Sequence, residues 1–245
     1  MTQLEMRRPR DVAALFRDSL AVYFRHLWLF IAASAAVVVP VELVVDGIGL
    51  DMLTGSYDES LSAAELIVPS LVQFLVVLPI VTAIAIHALD TLVRGGRPAT
   101  GQVLRAGFEA FTPLFAAVVL AGLGIVLGLF ALVVPGVYLA VRWYFVPQAV
   151  VIEGARAADA LRHSGDVVQG FWWRTFGLVV LANVAIVIPG VILLEPFRAL
   201  AESADRAVWE LVGSVVSTSI TAPFLALFST FLYYDVLARR QSAPE

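Results

Sequence analysis

Six stretches of the chain run for roughly twenty residues with almost no charge, near 27 to 45, 66 to 89, 113 to 134, 137 to 152, 175 to 194 and 211 to 234. A run of that length is what an α-helix needs to cross about 30 Å of hydrocarbon. Inside lipid every backbone N–H and C=O must be satisfied within the segment, so such runs fold as helices. Apolar residues make up 60% of the 245 and charged ones only 15%, with a mean hydropathy of +0.89. Soluble domains hold about a quarter charged residues. The sequence therefore predicts an all-α, polytopic membrane helical bundle of six transmembrane helices, forming one integral membrane domain over 1–245.

Charge sets the expected orientation. All 16 basic residues are arginine. With six crossings, Arg7, Arg8, Arg10, Arg17, Arg25, Arg94, Arg97, Arg105, Arg156, Arg162, Arg174, Arg239 and Arg240 fall on one side, and only Arg198 and Arg206 on the other. Excess arginine marks cytoplasmic loops, so both termini are expected in the cytoplasm and the chain in the bacterial inner membrane. Acids gather on the opposite face, at Asp46, Asp51, Asp58 and Glu59 and at Glu195, Glu202, Asp205 and Glu210. Pro135-Gly136 is expected to make the middle external hairpin tight. Trp28 and Trp172-Trp173 stand at the cytoplasmic starts of spans one and five, where indoles prefer the headgroup zone. Arginines and aspartates precede the first apolar run, so no cleaved signal peptide is expected.

Each odd-numbered span is preceded by a short amphipathic segment with helical spacing: Val12, Leu15, Phe16, Leu20 and Tyr23; Val103, Leu104, Phe108 and Phe111; Ala160, Leu161 and Val168. Aligned on Phe16-Arg17, Leu104-Arg105 and Leu161-Arg162, all three place a small residue two positions later, Ser19, Gly107 and Ser164. The even spans hold Pro79, Pro147 and Pro223, and two close on D-x-L-x-R, at Asp90 to Arg94 and Asp235 to Arg239. The shared order of features predicts three repeats, 10–94, 99–156 and 157–240, each an interfacial helix under a transmembrane hairpin. Arg17, Arg105 and Arg162 are then candidates for contact with anionic headgroups.

Arg142 is the most expensive residue, since arginine at a helix centre costs about 2.5–3.5 kcal/mol on insertion scales. Glu42 and Glu195, near the outer ends of spans one and five, are its candidate counter-charges; the other reading makes Arg142 a ligand for a lipid phosphate or another anion. Gly124-x-x-x-Gly128 in span three, and Gly213, Ser217 and Thr221 in span six, offer small faces for packing within the bundle. Asp90 and Asp235 are expected to pair locally with Arg94 and Arg239. With no cysteine, and with His26, His87 and His163 outside any metal-ligand spacing, no metal, cofactor or redox site is expected, nor a nucleic-acid partner.

From Pro135 the chain reads PGVYLAVRWYFVPQAVVIEGARAADALRHSGDVVQGFWWRTFGLVV, and it closes on TAPFLALFSTFLYYDVLARR. Through Pro135-Gly136, Tyr138, Arg142, Pro147, Glu153, Ala160-Leu161, Ser164, Gly170-Phe171-Trp172, Pro223, Tyr234, Asp235 and Arg240 it resembles the glycerophosphoryl diester phosphodiesterase membrane-domain family. The resemblance implies a multi-pass membrane region. It implies no phosphodiesterase activity, because that chemistry belongs to a separate catalytic barrel for which this chain has no room. The leading expectation is a non-catalytic module that contacts anionic lipid and scaffolds or regulates a membrane partner. The alternative is a small-solute or lipid transporter with its site around Arg142; an enzyme acting on a lipid phosphate ranks third, for want of a nucleophile or base.

Overall fold

The computed structural model describes residues 8–45 and 70–242, so the acids at 46, 51, 58 and 59 and the start of span two lie outside the described residues. The described chain is helical: α1 (Val12–Arg25), α2 (Leu27–Val45), α3 (Ser70–Val93), α4 (Thr100–Glu109), α5 (Phe111–Ala131), α6 (Val133–Arg142), α7 (Val146–Glu153), α8 (Ala157–Val168), α9 (Trp172–Ala204) and α10 (Val208–Ser242). Five of these, α2, α3, α5, α9 and α10, are long and apolar enough to cross a membrane. Their outward residues suit lipid: Leu123, Val126, Leu127 and Phe130 on α5 and Val184, Val187, Ile188, Val191 and Ile192 on α9 are all exposed. An apolar belt of this extent is foreign to a water-facing surface.

Span four differs from expectation. It divides into α6 and α7, broken at residues 143–145. Pro147 stands in the first turn of α7, where its missing N–H is tolerated. The break frees backbone groups, and one side chain satisfies two of them: Ser164 Oγ accepts from Phe145 N–H at 3.1 Å and donates to Arg142 C=O at 2.9 Å. The tight reversal also moves. The chain turns at Leu132, which is extended, while Pro135 and Gly136 lie inside α6. Gly136 serves packing instead, since a Cβ there would stand 2.7 Å from Leu129 N, and one on Gly128 3.0 Å from Gly136 Cα. The G-x-x-x-G face of α5 is thus spent inside its own hairpin.

The three amphipathic segments are helices that turn part of each stripe to the bundle, Leu15 and Tyr23, Val103, and Ala160 and Val168, while Val12, Leu20 and Phe108 stay exposed. α1 starts at Asp11, whose carboxylate accepts from Ala14 N–H at 2.6 Å. It buries Leu15, Ser19 and Tyr23. It lies lengthwise and antiparallel against α10: Phe16 packs tilted against Phe228 with ring centroids 4.8 Å apart, and Tyr23 Oη donates to Ile220 C=O at 2.8 Å. The expected helix flat beneath a hairpin is therefore, for α1, a helix pressed along a longer one. The aligned small residues are all buried. A Cβ on Gly107 would lie 2.6 Å from Ile84 Cγ1, Ser19 Oγ turns back to Leu15 C=O, and Ser164 fills the break in span four. Helices α9 and α10 have 33 and 35 residues, about 50 Å at 1.5 Å per residue. That exceeds the hydrocarbon by some 20 Å, and the α10 end lined by α1 is the most deeply buried part of the molecule.

Candidate functional site: a buried arginine and aspartate clasp

The densest polar chemistry surrounds Asp235, near the end of α10, whose side chain is fully buried. A buried carboxylate is tolerated only when it is paired and its lone pairs are filled. Here Oδ1 accepts from Arg10 N–H at 2.5 Å and Arg239 Nε at 3.0 Å, and Oδ2 accepts from Arg174 Nε at 3.1 Å and Nη2 at 2.9 Å. Arg174 and Arg239 each also donate an Nη2 hydrogen to Arg10 C=O at 2.7 Å. The main chain of residue 10 is therefore gripped at both its N–H and its C=O. The Arg10 side chain is itself buried, donating to Asp18 Oδ2 at 2.9 Å and lying 5.1 Å from the Phe231 ring centroid. Arg8 joins Asp18 at 3.3 Å.

The local Asp235–Arg239 pair follows the i,i+4 geometry legible in the sequence. The matching Asp90–Arg94 pair forms at 2.9 Å but stays exposed. Arg10 and Arg174 come from 225 and 61 residues away, and no local pattern announced them. Chemically the clasp fastens the segment before α1 and the start of α9 to the end of α10.

A second polar group ties α7, α8 and α10. Tyr233 Oη donates to Glu153 Oε1 at 3.1 Å and lies 3.1 Å from His163 Nε2. The hydroxyl has one proton, so with that proton on Glu153 the imidazole carries its own on Nε2 and donates.

Arg142, Glu42 and Glu195 are not brought together. Arg142 Nη1 donates to Tyr138 Oη at 3.1 Å, and its guanidinium lies over Gly165, where a Cβ would stand 2.8 Å from Nε. Tyr138 stacks on Trp172, whose Nε1 donates to Tyr138 C=O at 3.2 Å. The break at 143–145 places Arg142 at the junction with α8 and α9, so the expected carboxylate pairing gives way to a tyrosine hydroxyl. Glu42 is buried on α2 and Glu195 exposed on α9.

Arg17, Arg105 and Arg162 are all exposed on the outer faces of α1, α4 and α8. Arg105 pairs with Glu109 at 2.8 Å and Arg162 with Asp159 at 3.1 Å, both in full solvent reach. Nearby, burial pushes the Tyr23 hydroxyl up to about 12, and burial followed by the Arg25 charge lowers His26. No group of three or more His, Asp or Glu side chains is arranged to hold a metal ion among the described residues.

Five helices long and apolar enough to cross a membrane, with an exposed apolar belt on α5 and α9, make the described chain an all-helical fold consistent with a membrane protein. The chain belongs to the family described as a domain of unknown function, DUF7847, which matches residues 58–236. That range includes Arg174 and Asp235 and stops short of α1. No curated protein and no solved structure matches the chain.

Proposed function

We propose that the protein is a non-catalytic module of the bacterial inner membrane that contacts anionic lipid and scaffolds or regulates a membrane partner. The observation that carries this is the disposition of the amphipathic helices: α1, α4 and α8 turn Leu15 and Tyr23, Val103, and Ala160 and Val168 to the bundle and leave Arg17, Arg105 and Arg162 exposed, with Val12, Leu20 and Phe108 exposed on the same helices. A basic side chain near an anionic leaflet contributes about 1 kcal/mol each.

In this reading the chain makes six crossings in three repeats, 10–94, 99–156 and 157–240, with both termini cytoplasmic. The broken α6–α7 pair is the fourth crossing, supported by 21 residues between Val133 and Glu153, about 31 Å of helix if extended. The likeness to the phosphodiesterase membrane-domain family is carried as a shared membrane architecture only.

The test is lipid retention. Replacing Arg17, Arg105 and Arg162 together by glutamine lowers retention of phosphatidylglycerol by the purified protein, read by native mass spectrometry after release from nanodiscs. Retention equal to wild type overturns the proposal.

A second reading, passage of a small solute or lipid past Arg142, is favoured by the Arg142–Tyr138 pair, in which Arg142 is half-buried and Tyr138 exposed. Proteoliposome flux that survives Arg142→Ala removes that site.

A further inference from the structure

Asn183 is the sole asparagine of the chain. It stands on α9, eleven residues past Trp172 and twelve before Glu195. Those separations are about 16 and 18 Å of helix rise, and no residue between Arg174 and Glu195 is charged. In a hydrocarbon layer about 30 Å thick the amide therefore lies near the middle. It is exposed there, on the least buried of the five long helices.

The amide is half satisfied. Asn183 Nδ2 donates to Val179 C=O at 2.8 Å, one turn back on the same helix. The opposite amide orientation would set Oδ1 against that carbonyl, so the contact fixes which atom points away. Oδ1 and the second N–H are left without a partner among the described residues. Acyl chains offer neither donor nor acceptor, so lipid cannot satisfy them. Around the amide Val180, Val184, Val187 and Val191 are exposed at three- and four-residue spacings, which puts them on one strip of α9 with Asn183. Valine has one strongly preferred χ1 rotamer in a helix, so packing this strip against another helix loses little side-chain freedom. The small faces of α5 are not available in this way, because Gly124 and Gly128 already face Trp143 and Gly136.

We propose that α9 is the contact between two copies of this chain, joined through Val180, Asn183 and Val187 about a two-fold axis along the membrane normal. Every copy is inserted in the same orientation, so two α9 helices meet in parallel and at equal depth. Near the axis of such an isologous contact a residue meets itself. An amide carries both donor and acceptor and is its own complement, each Oδ1 accepting from the N–H of the other. Amides join helices within membranes in this manner. A second copy supplies the matching group by construction, which neither a lipid chain nor an unrelated helix does. The contact uses none of Arg17, Arg105 and Arg162, so it stands or falls apart from the lipid reading.

The test uses the full chain, which has no native cysteine. In bacterial membrane vesicles oxidised with copper phenanthroline, Val180→Cys and Val187→Cys should give a disulfide-linked dimer. Leu127→Cys, exposed on the belt of α5, should stay monomeric. In liposomes at falling protein-to-lipid ratio, FRET between fluorescently labelled copies then gives the dimerisation constant. Asn183→Val should weaken it about three- to thirtyfold, the worth of an interhelical hydrogen bond in a membrane. Asn183→Gln, which keeps the amide, should weaken it less. Dimerisation unchanged by Asn183→Val overturns the proposal. So does a wild-type chain that stays monomeric at every ratio, or Leu127→Cys cross-linking as readily as Val187→Cys. Cross-links from Val187→Cys to other proteins alone would give the face to a different partner and overturn it too. Should Asn183→Val not accumulate, the cysteine pairs still decide.

Discussion

Replacing Asp235 by asparagine keeps the shape of the clasp and removes its charge. In the wild type the carboxylate accepts from Arg10 N–H, Arg174 and Arg239, and its side chain has no solvent exposure. Asparagine leaves Arg174 and Arg239 facing each other across a neutral amide. Removing one partner of a buried ion pair costs about 3–5 kcal/mol. The two arginines keep 25% and 30% exposure, so water relieves part of that and the lower figure applies. For a chain of this size about 3 kcal/mol corresponds to a fall in Tm of roughly 6–12 °C. The assay is thermal unfolding in detergent, followed by tryptophan fluorescence, with Asp90→Asn as control. The exposed Asp90–Arg94 pair should be worth only about 0.3–0.5 kcal/mol. A double-mutant cycle sharpens the test: Arg174→Gln alone should destabilise, yet cost little once Asp235 is asparagine. Additive effects, or equal Tm changes for Asp235→Asn and Asp90→Asn, would refute the buried clasp.

Gly136→Ala should lower Tm through an overpacking cost of about 1–3 kcal/mol, because the new Cβ meets Leu129 N at 2.7 Å. Gly177→Ala on α9, where a Cβ meets nothing within 4 Å, should leave Tm unchanged or raise it, since helix propensity adds up to about 1 kcal/mol of stability. Tyr233→Phe loses the hydrogen bonds to Glu153 and His163, and about 1 kcal/mol in the same unfolding assay. His26 should titrate below 6.5 by NMR, and Arg25→Gln should recover only part of the shift, since burial is the larger cause. Because its folded pKa lies below the unfolded value, the folded state binds fewer protons. The His26 contribution is thus present above pH 6.5 and lost as pH falls through the folded pKa. A His26→Gln variant with an unaltered acid limb of the stability curve contradicts this assignment.

The long helices were legible in the sequence because hydropathy reports what lipid demands, and α2, α3, α5, α9 and α10 fall on five of the six apolar runs. The break in the sixth was hidden. Trp143, Tyr144 and Phe145 are as apolar as a helix interior requires, and Ser164, which satisfies the freed backbone, lies 19 residues further on. Pro147 was the local sign, since it suits the start of a helix better than its middle. Pro135-Gly136 drew the turn to itself, whereas the glycine was needed for close contact with α5. Of the clasp, the i,i+4 spacing exposed Asp235 with Arg239. Arg10 and Arg174 depend on how α1 and α9 pack on α10, which no local pattern encodes. Ser19, Gly107 and Ser164 were visible as a shared register. The structure supplies a physical reason at two of them, a close approach at Gly107 and a polar bridge at Ser164, while Ser19 is buried with its hydroxyl on Leu15 C=O of its own helix.

Orientation and crossing number can be read together by cysteine labelling, since the chain has no native cysteine. Single substitutions Arg17→Cys, Arg105→Cys, Arg162→Cys and Glu202→Cys are treated with a membrane-impermeant maleimide in intact spheroplasts and again after permeabilisation. The account predicts that Glu202→Cys reacts in intact cells and the three arginine positions only after permeabilisation. Arg162→Cys reacting in intact cells would show that α6 and α7 do not complete a crossing, and would contradict the placement of all three arginines at one leaflet.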